Sequence, residues 1–164
     1  MNPQAELFVK MVLLSWETQN NRTGKLFDSL SDEQLLSQVS PGRNRGIYLL
    51  GHLTAVNDSL AVILGLGDRL FPQYENIFIK TPDKSSNDLP AIPTLRESWN
   101  QVTQKLKDAF KKMSAEDWFR KHAAISEEDF AREPHRNKLN VLITRVTHEA
   151  YHHGQLALLQ KKVM

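Results

Sequence analysis

The sequence predicts an all-α fold, a four-helix bundle, and three observations predict it. Four stretches, 6–27, 43–64, 95–112 and 138–161, carry apolar residues at helical spacing. No strand pattern runs longer than residues 77–80. Two connections, 67–94 and 122–136, separate the long stretches, as bundle topologies with crossovers require. Residues 1–164 read as one domain.

In the first helix Pro3 suits the opening turn, where its missing N–H costs nothing. Leu7, Met11 and Leu14 share a face, with Phe8 and Val12 beside them. The middle of this helix, residues 17–23, is polar and reads as a solvated stretch. The alternative has Thr18 or Asn21 continuing an inward stripe toward a polar cavity. Ser31, followed by Asp32, Glu33 and Gln34, opens a short capped helix, and Pro41-Gly42 is a break. The second long helix spans about Arg43 to Leu64 and stops at Gly65 or Gly67. Leu49, His52, Val56, Leu60 and Ile63 share one of its faces, so His52 sits on an apolar, inward stripe.

Residues 67–94 contain Pro72, Pro82, Pro90 and Pro93, with Phe71, Tyr74, Ile77, Phe78 and Ile79 available for packing. The plain reading is a crossover along the bundle; a cover over a site is compatible with it. The third long helix spans about Leu95 to Lys112 with Thr94 as cap, burying Leu95, Trp99, Val102, Leu106 and Phe110. Ser114 to Asp117 caps a short helix carrying Trp118 and Phe119. Residues 122–136 read as a second loop. The last helix spans about Lys138 to Lys161, with Val141, Arg145, His148, His152, Gln155 and Leu159 on one stripe and Leu142, Val146 and Leu156 on the next. Lys161 and Lys162 suit its C-terminal end.

Composition narrows the function classes. Apolar residues at 40 % and charged residues at 24 % supply one good core and argue against disorder. Net charge is +2, and no basic block exceeds a lysine pair, so nucleic-acid binding is not expected. Apolar segments fall short of the roughly 20 residues of a membrane span, and the first residues lack the pattern of a secretory signal. With no cysteine, protein thiolates are excluded as ligands or nucleophiles, and the composition fits the cytoplasm.

The chemistry lies in the histidines. His148 and His152, at i and i+4, stand one turn apart on one helix face, the spacing of two ligands to one divalent ion. His52, from a distant helix, supplies a third imidazole. Three histidines leave coordination positions open, as catalytic sites do. Zn, Ni, Co, Mn or Fe could occupy the site, and the affinity order favours Ni or Zn over Mn. His122 and His135 fall in loops, and His153 is turned about 100° from His152, toward a pocket rim. Residues 148–152 also match H-E-x-x-H, in which Glu149 would be the general base of a zinc protease. No suitable downstream third ligand and no accompanying sheet support that reading. Glu149 and Tyr151 point off the metal face, while Gly154 suits a close approach by a neighbouring segment. Arg145 could hold a carboxylate, though its plainer reading is a bundle-edge arginine; Gln155 could bond a ligand histidine or a substrate.

The segment His148-Glu149-Ala150-Tyr151-His152-His153-Gly154-Gln155-Leu156 is similar to the H-x-x-x-H-x-G-Q motif of the DinB/YfiT-like superfamily of metal-binding four-helix bundles. Gly51-His52-Leu53 is similar to that family's second-helix histidine segment. The resemblance covers nearly the whole chain. It implies the ligands His52, His148 and His152, a down-up-up-down order with a long crossover between helices two and three, and a homodimer. It also implies a metal-assisted transferase or isomerase that uses a low-molecular-weight thiol. The expected function is a thiol-dependent S-transferase acting on small electrophiles. The alternatives are a hydrolase using metal-activated water and a non-catalytic metal-binding or stress-response bundle.

Overall fold

The computed structural model describes residues 2–85 and 88–160, and every regular element among them is helical. Four helices are long: α1 Pro3–Ser29, α3 Gly46–Ile63, α4 Ile92–Phe110 and α7 Lys138–Ala157. Three are short: α2 Asp32–Leu36, α5 Ala115–Trp118 and α6 Glu127–Arg132. α1 packs mainly on α7 and α3 mainly on α4, with narrower seams between α3 and α7 and between α1 and α4.

Local chemistry sets most helix starts. The Asn2 side chain accepts from the Gln4 N–H, with Pro3 in the first turn. Ser31 with Gln34, and Ser114 with Asp117, form reciprocal capping boxes. The third long helix begins at Ile92, earlier than Thr94, because Pro93 fits its first turn. α6 lies inside the stretch expected to be loop: Ser126 accepts from the Asp129 N–H, and three acidic residues occupy its first turn. α7 ends at Ala157, and Lys161 and Lys162 lie outside the described residues.

The predicted face of α1 is a correction. Leu7, Phe8, Met11 and Leu14 are exposed, and the inward stripe is Val9, Val12, Trp16, Gln19, Asn20, Thr23, Leu26 and Phe27. Apolar residues occupy both sides of the N-terminal turns, so periodicity alone could not choose between them. Aromatic packing chooses: Trp16 meets Phe110 edge-on at 4.8 Å between centroids, and Phe110 meets Trp118 at 5.1 Å. α3 is 18 residues of mean hydropathy 1.2, closer to a membrane span than the sequence reading allowed. It serves here as the core helix, buried along nearly its whole length.

The core is two apolar halves with a polar waist. One half gathers Phe27, Tyr48, Phe78 and Trp99; the other gathers Trp16, Leu60, Phe110 and Trp118. Between them along the helices lie buried Gln19, Asn20, Thr23, Thr54, Asn57 and Glu149. The polar middle of α1 is therefore partly interior. Thr18 and Asn21 are exposed, while their neighbours Gln19, Asn20 and Thr23 turn inward.

The long crossover is ordered by specific bonds. Both oxygens of the Asp58 carboxylate accept backbone N–H groups at its start, from Leu70 and Phe71 at 2.9 and 2.8 Å. Asp83, near its far end, forks onto Arg45 at 2.7 Å and accepts the Arg45 backbone N–H. Residues 76–80, which resemble a short strand in sequence, form a π-helical turn with Phe78 fully buried.

Candidate metal centre

Three half-buried imidazoles converge where α3 meets α7. His148 Nε2 lies 3.3 Å from His52 Nε2 and 3.2 Å from His152 Nε2. All three donor atoms fall within 4.8 Å of one another. Ligands at about 2.0–2.1 Å from one tetrahedral ion stand roughly 3.3 Å apart, so these separations suit a shared centre.

The proton inventory points the same way. His52 Nδ1 lies 2.8 Å from the Phe78 carbonyl, and His152 Nδ1 lies 2.7 Å from Gln155 Oε1. Both partners are acceptors, so each ring carries its hydrogen on Nδ1 and presents a bare lone pair at Nε2. Those lone pairs face His148 Nε2, which has one proton at most to share. A cation removes the conflict. Protons do so poorly here, because the site resists charging. Burial pushes the His148 imidazole down to about 4, helped by His152, His52 and Arg145. Burial also lowers His52, outweighing the Phe78 bond, and His152, outweighing the Gln155 bond.

The placement of His52 depends on the crossover. Gly51 leaves room for the Phe78 ring, which a Cβ there would meet at 2.2 Å. With the ring seated, the π-helical turn aims the Phe78 carbonyl at His52, and Tyr48 Oη donates to the same carbonyl at 3.2 Å. The sequence carries no signature for a backbone carbonyl, so this contribution was missed. Its one trace is the glycine preceding His52.

Arg145, a turn before His148, is half-buried, and its Nε is buried without a hydrogen bond. Gln155 bonds His152 through its oxygen and donates to Tyr151 Oη at 3.1 Å. Tyr151 itself is exposed. His153 turns away to Thr23 of α1 at 3.3 Å, in a cleft with Arg22 and Lys25 rather than at the imidazole cluster. His135 is exposed, and His122 accepts from the Ala124 N–H. Gly154 has nothing near it, so the close approach expected there is absent; Gly51 is the glycine that permits one.

Glu149 faces the polar waist and is 1 % exposed. Asn57 donates to its Oε2 at 3.3 Å, while Oε1 has no partner. Burial raises its carboxyl, against the opposing pull of Thr23, Asn57 and Asn20. A carboxyl that is 1 % exposed, held by Asn57 and sharing no bond with the three rings, is not placed to act as their general base.

A sequence profile described as the DinB superfamily matches residues 15–156, most of the chain. No curated protein matches it.

Proposed function

The chain belongs to the DinB superfamily, and on that premise we propose that it is a divalent-metal-dependent transferase joining a low-molecular-weight thiol to a small electrophile. We read the long helices as a down-up-up-down bundle, α1, α3, α4 and α7, with residues 64–91 as the crossover. One observation carries the metal reading: two bare imidazole lone pairs held 3.3 and 3.2 Å from a third ring nitrogen.

A divalent ion held by His52, His148 and His152 would acidify a thiol bound beside it, giving the nucleophile at neutral pH. The chain has no cysteine, so the sulfur comes from a small molecule. In the transfer the thiol S–H bond breaks and a sulfur–carbon bond forms. The leaving group departs with the electrons of its bond to carbon, and the proton passes to solvent. The protein's part is to orient. The Phe78 carbonyl and Gln155 fix two rings with Nε2 toward the centre, and burial favours the neutral, ligating form of all three.

Zn or Ni is the favoured occupant on affinity, with Mn, Fe or Co as the other candidates. A homodimer would find an apolar face to cover in the exposed Leu7, Phe8, Met11 and Leu14 of α1. The cysteine-free composition suits a cytoplasmic enzyme.

The test loads purified protein with Zn or Ni and assays a panel of small thiols and electrophiles beside His148→Ala. Turnover requiring both metal and thiol, and lost in the variant, is the expected result. Metal-dependent turnover without thiol would make the protein a hydrolase instead. No metal uptake, with stability unchanged on adding Zn or Ni, would leave a non-catalytic bundle.

A further inference from the structure

Among the described residues Arg145 has no counterion, and it lies beside the three imidazoles read above as a cation site. It lies on the same face of α7 as His148 and His152, three residues before the first of them. Its charge is felt at both His52 and His148. Among the described residues its guanidinium forms no ion pair and no hydrogen bond, and its Nε is buried. Other partly buried arginines have partners: Arg45 has Asp83, Arg69 has Glu75, and Arg96 has the Leu30 carbonyl and Asp32. Partly burying a guanidinium without a partner is costly. The one buried carboxylate of α7, Glu149, turns away toward Asn57.

With a divalent ion in place, the site would carry three positive charges and no protein carboxylate, since its ligands are neutral imidazoles. Charge balance must then come from what binds. We propose that Arg145 is an anion anchor, and that the small molecule received against the three histidines carries a carboxylate held by its guanidinium. One guanidinium offers one planar fork, which matches the two oxygens of a carboxylate. The inference rests on the metal reading above for its charge balance, but the unpartnered arginine stands without it. Arg145 binds and positions; it does not take part in bond making.

The test uses acetate as the probe anion, with chloride holding ionic strength constant. Wild type, Arg145→Gln and Arg145→Lys are loaded with Co(II), and acetate is titrated against the cobalt absorption bands. Acetate should bind roughly ten- to a hundredfold more weakly to Arg145→Gln, with Arg145→Lys between the two. Measured without acetate, Co(II) should bind Arg145→Gln at least as tightly as wild type, because a like charge is gone; a merely structural arginine would not give that pattern. Equal acetate affinity in wild type and Arg145→Gln overturns the proposal, as does wild type that ignores acetate. Should Arg145→Gln fail to fold, Arg145→Lys is read in its place.

A metal-free arm separates the two readings. If wild type takes up no cobalt, the metal reading fails, and thermal unfolding decides on the anchor. Acetate raising the unfolding temperature of wild type but not of Arg145→Gln retains it; an equal response in both overturns it.

Discussion

Gly51 and Phe78 occupy space that a single methyl would contest: a Cβ at position 51 would stand 2.2 Å from the phenyl ring. The Phe78 carbonyl is also the group that orients His52. Packing and the orientation of a candidate ligand are thus joined at one point. Gly51→Ala should displace the π-helical turn and cost about 1–3 kcal/mol by overpacking. It should also weaken metal binding roughly ten- to a hundredfold through the lost support of His52. Urea unfolding and a competitive metal titration check the two effects. An alanine variant with wild-type metal affinity would mean that the Phe78 bond is dispensable.

Metal should stabilise the fold, because the ligands come from α3 and α7 and the unfolded chain does not hold them together. At a free metal concentration about 100 times the dissociation constant, the gain is about 2.7 kcal/mol. His148→Ala and His52→Ala should each lose most of that gain, and elemental analysis should find them depleted of metal. A shift of equal size in wild type and both variants would place the metal elsewhere.

The metal-free protein should weaken in acid. His52, His148 and His152 all hold protons less readily than the ordinary imidazole at 6.5, with His148 down to about 4. Below about pH 6.5 the unfolded chain binds protons that the folded chain refuses, so folding stability falls with pH. For His148 the loss levels off below about 4. Denaturant unfolding from pH 8 to pH 4 should show this slope, and His148→Gln should make it shallower. A curve whose slope His148→Gln leaves unchanged would count against the buried, uncharged rings.

Glu149 acts with the opposite sign. Its folded carboxyl is raised above the ordinary 4.5 by burial. The fold therefore carries a penalty at neutral pH that fades as pH falls through the folded value toward 4.5. Glu149→Gln can still accept from Asn57 and should be more stable than wild type at pH 7, by on the order of 1 kcal/mol. The two should converge near pH 4. Equal stability of variant and wild type at pH 7 would show that the carboxylate is not strained by its surroundings.

Much of the molecule could be read one helix at a time. Ser31 with Gln34 and Ser114 with Asp117 declare helix starts, because a cap is made within four residues. His148 and His152 share a face because an α-helix puts i and i+4 side by side whatever surrounds it. His52 could be assigned to an inward stripe for the same reason. α6 is illegible in the sequence, because six residues without a buried side chain leave no apolar rhythm to detect.

The sequence by itself determined the helical class, the four long segments and the candidate ligands, since these follow from backbone geometry over a few residues. Only the tertiary structure decided which side of α1 faces inward, that Asn20 and Thr23 meet Glu149 in a polar waist, and that a carbonyl from a distant crossover steers His52. It alone left Arg145 without a counterion among the described residues. The physical reason is that burial and charge pairing belong to pairs of surfaces, and a residue's partner across a seam lies as many as 130 positions away, as Thr23 and His153 do.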